Sequence, residues 1–205
     1  MSNSQLYVQY RDIEKYLQCM LEVRDRINLV LGIVAHQITT GREDFDAELV
    51  FVQLRKVLEL IAFASLTANR EKYSAAHARF REHWNGKWLL QDLAKVNPDF
   101  YPTPLGLPVL QTSGVKQFPA VPEAFLTKED FVVLYDKAGE ILHARHPFTR
   151  KGDTVEIGFS VKQWVSRIQS LLTLHVIHLV DGKTWVVEVP SEGHVHVYPA
   201  EPRVA

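Results

Sequence analysis

Arg70 and His77 are two residues of this sequence whose types and spacing could do chemistry together. They lie seven positions apart in the segment NREKYSAAHARFREHW, whose pattern predicts a helix over residues 70–84. Seven residues make almost two helical turns and about 10.5 Å of rise, so both side chains would lie on the same side. A histidine can act as general acid or base near neutral pH, and an arginine can bind a phosphate through two hydrogen bonds. Such a pair could cleave RNA without a metal, with the 2′-hydroxyl as the nucleophile.

The motif REKYSAAH, residues 70–77, resembles the Arg–His motif of the HEPN family. Members of that family are helical bundles that usually form dimers. Many of them are metal-independent ribonucleases of toxin–antitoxin, CRISPR and anti-phage systems. The resemblance covers at most residues 1–96. It implies that His77 would be the general acid/base, that Arg70 would bind the phosphate, and that RNA would be the substrate.

A packing role for His77 is the alternative interpretation of the same helix. One stripe at helical spacing consists of Tyr73, His77, Phe80 and Trp84. Such a stripe is typical of a helix face that packs against a core. In that case His77 would hydrogen-bond to a neighbouring helix, and Arg70 would pair with an acid near the helix start.

Arg55 and Glu59 lie four positions apart on another predicted helix, which covers residues 44–67. The later part of this helix, VLELIAFASL, is apolar almost all round, so we expect it to be the central helix of a bundle. A carboxylate inside such a run needs a partner, because burying an unpaired charge is very costly. The spacing therefore predicts a structural ion pair between Arg55 and Glu59.

His194 and His196 raise a metal hypothesis. They are two positions apart, so on a strand they would share a face and form half of a zinc site. A third ligand would have to be His175 or Glu188. No acidic or cysteine motif of standard spacing supports this combination, so we expect neither a metal nor another cofactor.

The prolines divide the chain near residue 97. All ten prolines follow that residue, and six of them fall within residues 98–122. We predict an α+β protein in which residues 1–96 form a helical bundle of about four helices, the first over 4–36. A packed proline-rich connection, residues 97–123, would lead to a small antiparallel β-rich unit with one helix, residues 124–205. Because the connection also carries apolar residues, it could offer a docking strip for a protein partner.

Three patterns predict the elements of the C-terminal unit. DFVVLYDKAGEILHARHPF favours a hairpin turned at DKAG, and SVKQWVSRIQSLL favours a helix capped by Ser160. LHVIHLVDGKTWVVEV favours a second hairpin, because Asp-Gly suits a two-residue turn. That turn would place His175 opposite Glu188, and His178 opposite Trp185 among apolar partners. GHVHVYP could add one more short strand.

Composition and charge exclude several classes of protein. The 23 basic and 24 acidic residues give a net charge of −1, which argues against a general nucleic-acid coat protein or a polybasic membrane binder. With one cysteine, Cys19, the chain forms no internal disulfide, which suits a reducing compartment. The N-terminus is unlike a signal peptide, and no run of about 18 apolar residues occurs. We therefore expect a soluble cytoplasmic protein without a membrane partner.

No strong catalytic pattern stands out, which favours a non-catalytic interaction protein. The first two helices offer enough apolar surface for self-association as well as for a core, so a homodimer is expected. The ribonuclease interpretation, which rests on Arg70 and His77, is the alternative.

Overall fold

Five helices and six strands make up the described part of the structure, which is a computed structural model. It describes residues 3–69, 86–112, 114, 116–119, 121, 124–143 and 156–200. The helices are α1 (Asn3–Val34), α2 (Glu43–Ala68), α3 (Gly86–Val96), α4 (Lys128–Leu142) and α5 (Val161–Leu172). The strands are β1 (Thr103–Pro104), β2 (Val109–Leu110), β3 (Lys116–Gln117), β4 (Leu174–His178), β5 (Thr184–Glu188) and β6 (His196–Ala200). The predicted α+β class with an N-terminal helical region is confirmed.

The helices α1 and α2 pack along each other and are joined by residues 35–42. The buried stripe of α1 recurs at spacings of three and four and consists of Tyr16, Met20, Val23, Ile27 and Val30. That spacing places the stripe on one helix face. On α2 the buried side chains include Leu54, Val57, Leu58 and Ile61, as the apolar run predicts. No helix among the described residues is long and apolar enough to cross a membrane.

Residues 130–142 belong to α4, so the predicted hairpin at DKAG is wrong. The buried residues of α4 lie on one helical face and are Phe131, Leu134, Tyr135 and Ala138. Thr127 begins the helix with a capping box. Its hydroxyl accepts from the Asp130 backbone N–H, and the Asp130 carboxylate accepts from the Thr127 N–H. The T-x-x-D start and the three-and-four spacing outweigh the strand preference of Phe-Val-Val.

The four-stranded sheet is antiparallel and has the order β1-β4-β5-β6. Its edge strand β1 comes from the proline-rich connection and pairs Thr103 with Val176. The connection is therefore part of the sheet as well as a packed segment. Its Phe100 is fully buried, and its Tyr101 donates a hydrogen bond to the Leu126 carbonyl.

The hairpin of β4 and β5 forms as predicted, but its predicted register is wrong. His175 lies opposite Val187, and His178 lies exposed opposite Thr184. The Leu179 N–H donates to the Lys183 carbonyl, so three residues instead of two form the loop. Gly182, the last of the three, has a φ of 84°, which is typical of three-residue hairpin loops. One added loop residue shifts every pair along the ladder.

One cluster of buried side chains connects the helices, the connection and the sheet. It includes Leu54 of α2, Phe100 of the connection, Trp164 of α5 and Trp185 of β5. The division into residues 1–96, 97–123 and 124–205 stays a prediction, but the described residues of these three parts share this core.

Candidate functional site

Arg70 and His77 lie outside the described residues, between the end of α2 and the start of α3. The catalytic hypothesis therefore stays a prediction. It predicts RNA cleavage in EDTA by the purified protein and loss of that cleavage in both His77→Ala and Arg70→Ala. His83→Ala is the matched control from the same predicted helix. Equal cleavage by all four proteins would show a contaminating nuclease and contradict the hypothesis.

Arg55 is held on several sides by its neighbours. Its Nε lies 3.3 Å from Glu59 Oε1, its Nη2 donates to the Tyr135 hydroxyl at 2.9 Å, and its guanidinium stacks 4.4 Å from the Tyr135 ring centre. The same hydroxyl accepts from the Gly86 backbone N–H at 3.2 Å. A Cβ at Gly139 would lie 3.0 Å from Arg55 Nη1, so a larger residue there would crowd the guanidinium. Arg55 thus pairs with Glu59, and the Tyr135 hydroxyl connects this pair of α2 to the start of α3 and to α4.

His175, His194 and His196 are not brought together by the fold. The register pairs Leu174 with Glu188 and Glu188 with His196, which places His196 on the sheet face opposite to His175. His194 lies exposed before β6 begins, and the His196 ring stacks on Tyr198. Among the described residues, no group of three or more His, Cys, Asp or Glu side chains could hold a metal ion.

His175 instead forms a buried hydrogen-bonded pair with Tyr16 of α1. Both side chains are fully buried. His175 Nδ1 lies 2.8 Å from the Leu172 carbonyl oxygen, and its Nε2 lies 2.6 Å from the Tyr16 hydroxyl. Because a carbonyl can only accept, Nδ1 carries the proton and Nε2 accepts from Tyr16. The rings of Trp185 and Tyr16 pack in a T-shaped arrangement with their centres 5.8 Å apart.

Burial keeps both members of this pair neutral. Desolvation lowers the pKa of His175 to about 4 and raises that of Tyr16 well above its ordinary value. Cys19, one turn further along α1, has its pKa raised to about 11 by burial and by the nearby Glu22. The hydrogen bond between these two buried groups links α1 to β4. The sequence signal for this pair is a tyrosine, Tyr16, within the apolar stripe of α1. The sequence does not indicate that His175 is its partner.

The proline-rich connection contains the largest group of exposed apolar side chains that the structure describes. Leu107 is 80% exposed, Leu110 68%, Val109 54% and Phe118 36%. They lie on or beside the two-stranded sheet of β2 and β3, which is separate from the four-stranded sheet. We call the described residues within 107–118 the apolar ribbon. Exposed apolar groups clustered in this way are typical of interaction sites.

Each face of the apolar ribbon carries one apolar side chain of β2, Val109 on one face and Leu110 on the other. Val109 pairs with Gln117 and Leu110 with Lys116, and adjacent residues of a strand point to opposite faces. Gly106 closes the base of the ribbon, because its N–H donates to the Pro119 carbonyl at 2.8 Å. A Cβ there would lie 2.8 Å from Pro119 Cγ, so the two chain segments could not approach as closely with a larger residue.

The helices turn their apolar stripes inward instead. Among the described side chains of α1 and α2, the large apolar residues that remain exposed are Tyr10 and Phe45. They lie near the starts of the two helices and far apart in sequence. Among the described residues, the exposed apolar side chains outside the connection, such as Trp88, Val133 and Tyr198, are scattered over different elements, whereas those of the connection follow one another closely.

These features define an α+β protein with a helix pair, a four-stranded sheet and an exposed apolar ribbon. No family model, no curated protein and no solved structure matches the chain in the comparisons with known proteins. What can be inferred about function therefore comes from the chain's own residues.

Proposed function

We propose that the protein is a non-enzymatic binding protein that self-associates through the apolar ribbon. The observation that supports this most directly is the exposure of Leu107, Val109 and Leu110 on one short segment. Apolar side chains that are this exposed gain free energy when a partner covers them. We place the contact on the ribbon because α1 and α2 bury their apolar stripes against each other.

A second copy of the chain is the partner that the ribbon's chemistry fits best. Residues 105–119, LGLPVLQTSGVKQFP, contain a single charged residue, Lys116. A charged partner would therefore find little to recognise, whereas two ribbons can approach each other with little repulsion. In a two-fold dimer the same patch lies on both subunits, so Leu107 and Leu110 of each chain contribute. The short strands and the flanking prolines leave little free backbone, so side chains would form most of the contact.

Leu107→Glu and Leu110→Glu, made separately, test this proposal. Burying a leucine contributes roughly 1.5–3 kcal/mol, and each substitution occurs twice in a symmetric dimer. We expect each variant to raise the dimer dissociation constant about a hundredfold or more, since ~1.4 kcal/mol is a factor of ten. Sedimentation equilibrium over a wide concentration range measures this constant.

Val133→Glu is the matched control. Val133 is an exposed apolar residue on α4, away from the ribbon in sequence. This variant should dimerise like the original protein, and circular dichroism should show the same helix content in all four proteins. A chain that stays monomeric at every concentration, or a dimer that both ribbon variants leave intact, would overturn the proposal.

The cytoplasm is the proposed place of action. The support is the single cysteine, Cys19, whose thiol needs no oxidising compartment and forms no internal disulfide.

A further inference from the structure

A cavity of about 210 Å³ lies between α1, α5 and the loop that follows β5. Its apolar wall is formed by buried residues of the two helices, among them Ile27 and Ile168. Its rim is polar and includes Arg24 of α1 and Gln169 of α5. At ~30 Å³ for each water molecule, the space equals about seven waters, so only a small ligand would fit.

Arg24 is the charged group of this cavity, and its own neighbours hold it in place. Its Nη1 donates to the carbonyl oxygens of Gly193 at 2.7 Å and Pro190 at 3.2 Å. Within the described part of the chain these two contacts account for its hydrogen bonds, and no carboxylate pairs with it. An arginine stays protonated at all physiological pH values. The site therefore carries a fixed positive charge that only carbonyl dipoles offset.

The free edge of this guanidinium determines the class of ligand. With Nη1 occupied, Nε–H and an Nη2 hydrogen remain as two parallel donors, which match the two oxygens of a carboxylate. The adjoining wall accepts an apolar group. We propose that this cavity binds a small carboxylate with an apolar body, held by Arg24 at the rim and by Ile27 and Ile168 inside.

Octanoate is the probe for a first test, used below the concentration at which it forms micelles, with octanol as its uncharged match. Isothermal titration calorimetry with the full chain should show octanoate binding more tightly than octanol. Arg24→Met should weaken octanoate binding about tenfold or more, because a hydrogen bond to a charged group is lost, and should leave octanol binding nearly unchanged. Arg42→Met removes an exposed arginine outside the cavity and is the matched control.

Arg24→Met also removes the hydrogen bonds to Pro190 and Gly193 and could loosen the loop after β5. Gln169→Trp is therefore a second variant that blocks the cavity and leaves Arg24 in place. Gln169 lies exposed on α5, so the helix tolerates a larger side chain there, and the indole would occupy the cavity. We expect this variant to lose the binding of both probes. In amide NMR spectra octanoate should shift the signals of Asn28 and Ser191, which line the cavity, and leave Val109 unmoved. Equal affinity for octanoate and octanol, no binding, or binding that Gln169→Trp leaves intact would overturn the proposal.

Discussion

Acidification from about pH 7 to about pH 4 should remove about 3 kcal/mol from the free energy of unfolding through His175 alone. Burial lowers the pKa of this residue from 6.5 to about 4 in the folded protein. Between pH 6.5 and about pH 4, His175 is protonated in the unfolded chain but stays neutral in the folded chain. The stability contributed by neutral His175 is thus complete above about pH 6.5 and is lost progressively as the pH falls toward 4. A shift of this size corresponds to about 3 kcal/mol at ~1.4 kcal/mol per pH unit.

Urea unfolding at several pH values in this window, with His175→Gln alongside, measures the effect. The glutamine does not titrate, so we expect its curve to be less stable near pH 7 and flatter between about pH 6.5 and 4. His178→Gln, which alters an exposed histidine of the same strand, should follow the original protein. Asp46 responds in a lower window, because hydrogen bonds from Thr39 and Thr40 lower its pKa from 3.8. If His175→Gln kept the full pH dependence, His175 would not be its source.

The sequence predicts the helices best where apolar spacing is long and regular. The α1 stripe extends over several turns, and α2 contains a continuous apolar run, so tertiary packing agrees with the local pattern. The sequence wrongly predicts a hairpin where α4 lies. Phe-Val-Val favours a strand by propensity, and the Asp-Lys-Ala-Gly that follows resembles a turn. The capping box at Thr127 was the better signal, because it depends on hydrogen bonds that only a helix start needs.

The candidate surface could be predicted only in part. Apolar residues among prolines identify the connection as a segment that is either packed or available for docking. Composition cannot separate Phe100, which is fully buried, from Leu107, which is 80% exposed. That difference depends on which part of the connection the sheet and helices cover. The pairing of His175 with Tyr16 was likewise inaccessible, because it joins residues 159 positions apart.

Two buried asparagines hold the start of the connection, and with it β1, against α2 and β4. Asn97 Nδ2 donates to Asn69 Oδ1 and to the His178 carbonyl, both at 2.8 Å. Asn69 in turn donates to the Ser65 carbonyl. Asn97 also accepts from the Asp99 N–H through its own side-chain oxygen. The asparagine pair thus joins the end of α2 to the first residues after α3.

Asn97→Leu should lower the free energy of unfolding by about 3 kcal/mol. Leucine has the same number and branching of side-chain heavy atoms but no donor, so Asn69 Oδ1 and the His178 carbonyl each lose a partner, at roughly 1–3 kcal/mol apiece. Urea unfolding near pH 7 measures this loss. Asn28→Leu is the matched control, because Asn28 lies exposed on α1 and its substitution should cost within about 0.5 kcal/mol.

A double-mutant cycle with Asn69→Leu separates this account from a simple packing defect. If the two amides stabilise the fold by bonding to each other, the double variant should lose less than the sum of the two single losses. The difference should lie between about 0.5 and 3 kcal/mol, the range found for residues in contact. The Asn69 acceptor that Asn97→Leu leaves without its donor is absent from the double variant, which removes part of the cost. Strictly additive losses would mean that the bond between the amides contributes nothing, and that Asn97 acts through its bonds with the His178 carbonyl and the Asp99 N–H.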